Sequence, residues 1–209
     1  MRRTPGIILC GLLALAGCGG EGAGSFVDAH AMAHLREVLS KQPPLPDGFT
    51  ARAEQAWRMP FRPVDQNCRT LLDPAGGRAP QQALTAQAAA SYRGDELGEQ
   101  AGVGLARYAD GEAGDHLDAL AEALESCRLM RTSSGTDLRL RELEVEGVGD
   151  EAVGARLRGT LNGYPYAMDV VLSRVDDTLV SVVHTGMNNV DAGRTRRVVD
   201  AAVSMAGAY

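Results

Sequence analysis

The chain has 209 residues, 44% of them hydrophobic and 23% charged, with a formal net charge of −6. This is enough apolar material for one packed core; it excludes collagen-like, coiled-coil and fully disordered chains, and the acidic balance argues against the basic face of a nucleic-acid binder. Aromatics are only 4%, too few to line a polymer cleft, and a lone Lys41 beside 20 arginines matches the usage of a GC-rich genome.

Arg2 and Arg3 open a short basic region, and residues 7–16 are apolar apart from Gly11. Ten such residues are half of the ~20 that span a bilayer as a helix, so the run reads as the apolar part of a signal peptide over residues 1–17. It ends in Leu15-Ala16-Gly17-Cys18. This resembles the lipobox of bacterial lipoproteins. The resemblance implies cleavage before Cys18, a diacylglyceryl group on its sulfur with palmitate-type acylation, and anchoring on the extracytoplasmic face of the cell membrane. Two or more acyl chains anchor stably where one does not. Cleavage would also remove Arg2 and Arg3, leaving a net charge of −8. Residues 18–25 form a Gly-rich tether reaching about 25 Å at most, and 26–209 suit a single extracytoplasmic domain.

Cys10 leaves with the signal and Cys18 is lipidated, so Cys68 and Cys127 are the remaining pair. An exported compartment permits their disulfide.

Along the domain, residues 27–40 read as a helix, broken by the Pro43-Pro44-Leu45-Pro46-Asp47-Gly48 run. Residues 49–57 read as a strand, 59–63 as loop or sheet edge, and 68–72 as a short apolar turn. The Ala- and Gln-rich stretch at 82–92 and the alternating 97–108 are expected to pair as a hairpin around Arg93-Gly94-Asp95. A helix over 112–130 carries Leu117, Leu120, Ala121, Leu124 and Cys127 on one stripe, with Arg128 and Arg131 completing the dipole at its end. That stripe puts Cys127 on the buried face, where it can meet Cys68. Four strands follow as a meander, 138–145, 152–161, 164–173 and 178–184, with Asn162-Gly163 as a two-residue hairpin turn. A last helix covers 191–207. The order predicts an α+β fold, an antiparallel sheet with helices on one face.

Leu45-Pro46-x-Gly48-Phe49 after a helix, Trp57, Cys68 before Leu71-Leu72, a helix ending in Cys127, Gly149-Asp150-Glu151 and a closing helix form one series. Over roughly residues 30–208 it resembles the extracellular sensor-domain family of actinobacterial lipoproteins, named for the outer domain of a mycobacterial Ser/Thr kinase (PknH-like). The resemblance implies a sheet with packed helices, a groove, and binding of a ligand or partner without catalysis. The resemblance would bring the two disulfides of that outer domain, where this chain can form one. The sequence shows no kinase domain or membrane-spanning helix beside it, so a binding role without a signalling output of its own is expected.

The candidate chemistry is sparse. His30 and His34 are spaced i, i+4, but the glutamate of a zinc-protease motif is replaced by Ala31, so exposed helix histidines are expected and no metal or cofactor is predicted. Gly147-Val148-Gly149-Asp150-Glu151-Ala152 imitates a dinucleotide loop, yet its acids repel a pyrophosphate and a strand follows, so it reads as a turn. Arg194, Arg196 and Arg197 cluster at the start of the last helix and could face anionic headgroups or a phosphorylated glycolipid. Trp57, Phe61, Tyr164 and Tyr166 could line a groove. Trp57, Tyr164, Tyr166, Arg194 and Arg197 are the candidate binding residues, for an envelope lipid, glycan or protein partner. Three functions separate by geometry. A sensor needs a shallow groove or patch, and a lipid or glycolipid carrier needs a large dry internal pocket. A cell-wall hydrolase, the least favoured, would place His116 or His184 beside a nucleophile or carboxylate.

Overall fold

The computed structural model describes residues 27–41, 44–132 and 137–207. The expected signal peptide, Cys18 and the tether lie outside the described residues. Helix α1 (Ala29–Ser40) starts on Asp28, whose carboxylate accepts hydrogen bonds from the His30 and Ala31 amides. Helix α2 (Gln66–Leu72) is capped in the same way by Asp65, so the expected turn at 68–72 is a short helix. A single 3₁₀ turn (Pro74–Gly76) leads to strands β1 (Leu84–Arg93) and β2 (Gln100–Tyr108), then helix α3 (Glu112–Ser126). Strands β3 (Leu129–Arg131), β4 (Asp137–Glu142), β5 (Glu151–Leu161), β6 (Tyr164–Val175) and β7 (Thr178–Gly186) precede helix α4 (Ala192–Ala206). The strands form one sheet in the order β1-β2-β7-β6-β5-β4-β3, antiparallel throughout. Both residues of the Asn162-Gly163 turn between β5 and β6 have positive φ, as a tight hairpin demands.

The fold is α+β, as the order of elements implies. The helices are divided between the two faces of the sheet, where one covered face was expected. Along β6, Met168, Val170 and Leu172 join the core under α2 and α3, while Val171 belongs to the core under α1 and α4. On β7, Leu179 and Val183 face the first core and Val180 and Val182 the second. Both central strands are therefore apolar on both sides, so a strict apolar–polar alternation is absent there.

Two further expectations change. Helix α3 stops at Ser126, and Cys127 caps it; Arg128 and Arg131 lie beyond the helix, and Met130 is buried in the short β3 that follows. An apolar stripe continues smoothly from the helix into the strand, so periodicity alone cannot mark the break. Residues 49–57 are not a sheet strand. They run beside β1, where the Thr50 amide donates to Arg93 O and the Glu54 amide to Ser91 O, and they make one isolated bridge, Glu54 to Ser91. The same segment then crosses the α2–α3 side of the sheet through buried Trp57 and Phe61 and reaches the opposite edge, where the Val64 amide donates to Arg131 O. This strap hydrogen-bonds with both edge strands, which an open sheet must protect.

Cys68 in α2 and Cys127 at the end of α3 form the expected disulfide, with Cα atoms 5.2 Å apart. Among the described residues no helix is long and apolar enough to cross a membrane.

Candidate functional site

At one end of the sheet the 94–99 connection and the residues after β7 enclose a cleft of about 520 Å³. From Glu99 and His184 in its lining a chain of polar side chains runs inward through five parts of the fold. Glu99 precedes β2, His184 lies on β7, Thr195 on α4, Asp169 on β6 and Arg156 on β5. His184 Nε2 lies 3.0 Å from Glu99 Oε1 and Nδ1 lies 2.9 Å from Thr195 Oγ1. The Thr195 hydroxyl is 2.8 Å from Asp169 Oδ2. Arg156 donates to both oxygens of Asp169, at 2.7 and 2.6 Å. A fully buried carboxylate needs such a two-pronged partner, and Asp169 in turn holds the Arg156 guanidinium more firmly charged than usual.

Arg194 closes the other end of the chain. It ion-pairs with Asp95 at 2.7 Å and, through Nε, with Glu99 at 3.1 Å; the latter is a charge contact whose angle falls short of a hydrogen bond. Its guanidinium sits 4.8 Å from the centre of the Phe49 ring and donates to Asp47 O. Phe49 meets His184 edge-on with ring centres 5.6 Å apart. The Arg194 bond holds the Asp95 carboxyl below the usual carboxylate range. Burial pushes the His184 imidazole below its ordinary value, against the pull of Glu99 and Asp169.

The carboxylate, imidazole and hydroxyl of Glu99, His184 and Thr195 meet the contact criterion set above for a hydrolase. Their order in space does not serve one. Glu99, His184, Arg194 and Arg197 line the cleft, and Thr195 and Asp169 do not. Thr195 is 2% exposed, and its hydroxyl also approaches Asp169 and the Asp191 carbonyl. A nucleophile has to face the substrate while its carboxylate sits behind the imidazole. Here the carboxylate fronts the cleft and the hydroxyl lies behind.

The other candidates separate. Trp57 is buried in the core against Gly102, where a Cβ would lie 2.5 Å from that of Trp57. The small residues of β2 thus serve close packing. Tyr166 is half-buried edge-on against Phe61, with ring centres 6.3 Å apart, and Tyr164 is exposed at the start of β6. The aromatics form no shared groove. Of the arginines, Arg194 turns into the cleft, Arg197 lines the cleft wall, and Arg196 points away to Asp200 and to the Glu146 and Gly147 carbonyls. Neighbours in a helix diverge by about a third of a turn per residue, so three arginines in four positions make no common patch. His116 bonds the Gln82 carbonyl at 2.9 Å, and no metal-ligating cluster occurs among the described residues. Glu99 and Asp169 were missed because their partners lie 85 and 26 positions away; an acid next to strand glycines and one within an apolar strand were the only hints.

A scan against models of protein families gives no match, and neither does a search of curated proteins. Among solved structures, the extracellular domain of PknH from Mycobacterium tuberculosis superposes with a TM-score of 0.52 at 11% identity, over 86% of this chain and 92% of that one. An uncharacterized protein from Mycobacterium smegmatis, an ortholog of Rv0999, gives 0.48 at 13% identity, over 85% and 97%. The chain has a fold like that of the PknH extracellular domain.

Proposed function

We propose that this protein is a membrane-anchored extracytoplasmic lipoprotein whose single domain is a non-catalytic ligand-binding or sensor module. The observation that carries the reading is the build of the polar chain behind the cleft. Every side chain of the Glu99–His184–Thr195–Asp169–Arg156 chain has a partner within the protein, and the one hydroxyl in it is turned from the cleft. Such an arrangement shapes and orients; it offers no open nucleophile. Likeness in fold to the outer domain of a kinase supports the same reading, and the Leu15–Cys18 signal supports the anchor. The close packing around Trp57 weighs against a lipid carrier, which needs a dry internal cavity.

Two measurements test it. Cys18→Ser should move the protein from the membrane fraction to the soluble fraction; retention in the membrane sinks the anchor. Native mass spectrometry of the Cys18→Ser chain should then find a small-molecule adduct that Arg197→Glu, on the cleft wall, removes. An adduct unaffected by that change, or a bare chain that also cross-links to no partner on cells, sinks the binding reading.

A further inference from the structure

On the α2–α3 side of the sheet the strap and α2 enclose a second hollow, of about 560 Å³. Its wall carries Arg58 and Arg62 from the strap, Arg69 from α2, and Arg78, with Asp73 as the one carboxylate. Arg78 is taken by Asp73, at 2.5 Å through Nη2 and 3.2 Å through Nε. Arg58 and Arg69 bond only neutral amides, those of Gln55 and Gln66, which orient a guanidinium without cancelling its charge. Arg62 makes no ion pair or hydrogen bond among the described residues. Arg69 Nε is buried and has no hydrogen-bond partner among the described residues. Three unneutralised guanidiniums in one hollow of an acidic chain are unlike an ordinary solvated surface, where both signs intersperse. Phe61 and Met59 make the remaining wall apolar.

We propose that this hollow binds a phosphoryl group. Guanidinium forks match phosphate oxygens two bonds at a time, and several converge best on a dianion. The space exceeds what a phosphate alone would fill, and the Phe61–Met59 wall suits an apolar substituent on it. A free phosphate and the phosphate headgroup of an amphiphile offer the arginines the same chemistry. The cleft at the end of the sheet is a separate site, so either can fail without the other.

Isothermal titration of the full chain in non-ionic detergent, with inorganic phosphate and with dihexanoyl phosphatidic acid below its micelle concentration, tests the assignment. Saturable one-to-one binding is expected, weakened roughly tenfold by Arg62→Gln, the loss of one charge-assisted pair. Arg58→Gln should weaken it similarly. Both side chains are exposed, so an unchanged melting temperature will separate lost binding from lost fold. Arg141→Gln, an exposed arginine on β4 outside the hollow, should change nothing. Tighter binding of the phosphatidic acid supports the site with a lipid headgroup as its source; equal binding supports it with free phosphate. No saturable heat, or binding that Arg62→Gln and Arg58→Gln leave intact, overturns it.

Discussion

Between Glu99 and Asp169 the buried chain has three gaps, at His184 Nε2, at His184 Nδ1 and at the Thr195 hydroxyl. A neutral imidazole and one hydroxyl supply two hydrogens, so either tautomer leaves one gap bare; the imidazolium would fill all three. Burial nevertheless holds the folded His184 below its ordinary value near 6.5. The sign of the linkage follows. The unfolded chain takes up the proton first as pH falls, so stability is full above about pH 6.5 and declines below it, until the folded imidazole is protonated too. Chemical denaturation between pH 7 and 5 should show this slope and should lose it in His184→Gln; equal slopes in both would refute it. The window lies above the carboxylate range, so Asp95 contributes no slope there. None of this was legible locally. His184 could be read as a strand-end histidine, but its partners come from four other elements and no spacing encodes them. The basic hollow was missed for the same reason: Arg58, Arg62, Arg69 and Arg78 are scattered over loop and helix, whereas in the compact Arg194–Arg197 run Arg194 and Arg197 share the cleft and Arg196 points away from it.

Elements were easier to read than contacts because capping and periodicity act over a few residues. Asp191 shows the strength of that signal. Its carboxylate accepts from the Arg194 amide at 2.6 Å and starts α4, the helix that carries Arg194 and Thr195 to the polar chain behind the cleft. Asp191→Ala should cost about 1 kcal/mol, with Asp191→Ser recovering most of it; a thermal melt in which the two variants coincide would show that the cap is idle. The β1–β2 hairpin was legible because residues 97–105 alternate in the manner of a strand and carry glycines that weaken a helix, against the helical propensity of the Ala- and Gln-rich 82–92. The strap was not, since it has the alternation of a strand, while Pro60 and Pro63 keep it from joining a ladder. The division of helices between two faces was also hidden. Each helix shows an apolar stripe, and a stripe does not say which side of a sheet it meets.

At the scale of the molecule, the disulfide joins α2 to α3 across a sequence separation of 59. Replacing both cysteines by serine should lower stability by ~4 kcal/mol on the chain-entropy account, read from urea denaturation; a loss under about 1 kcal/mol would mean that the two helices are held by packing alone. That loop encloses the β1–β2 hairpin and α3 and excludes β4 through β7. Each of the other ladders joins strands consecutive in the chain, whereas β2 pairs with β7, Gln100 opposite Thr185 and Arg107 opposite Thr178. The sheet therefore consists of two locally closed halves meeting at one seam. Local hairpins form in microseconds, and distant pairings wait on loop closure. The disulfide loop lies wholly to one side of that seam, and of all the ladders β2–β7 is the one that has to close the longest stretch of chain.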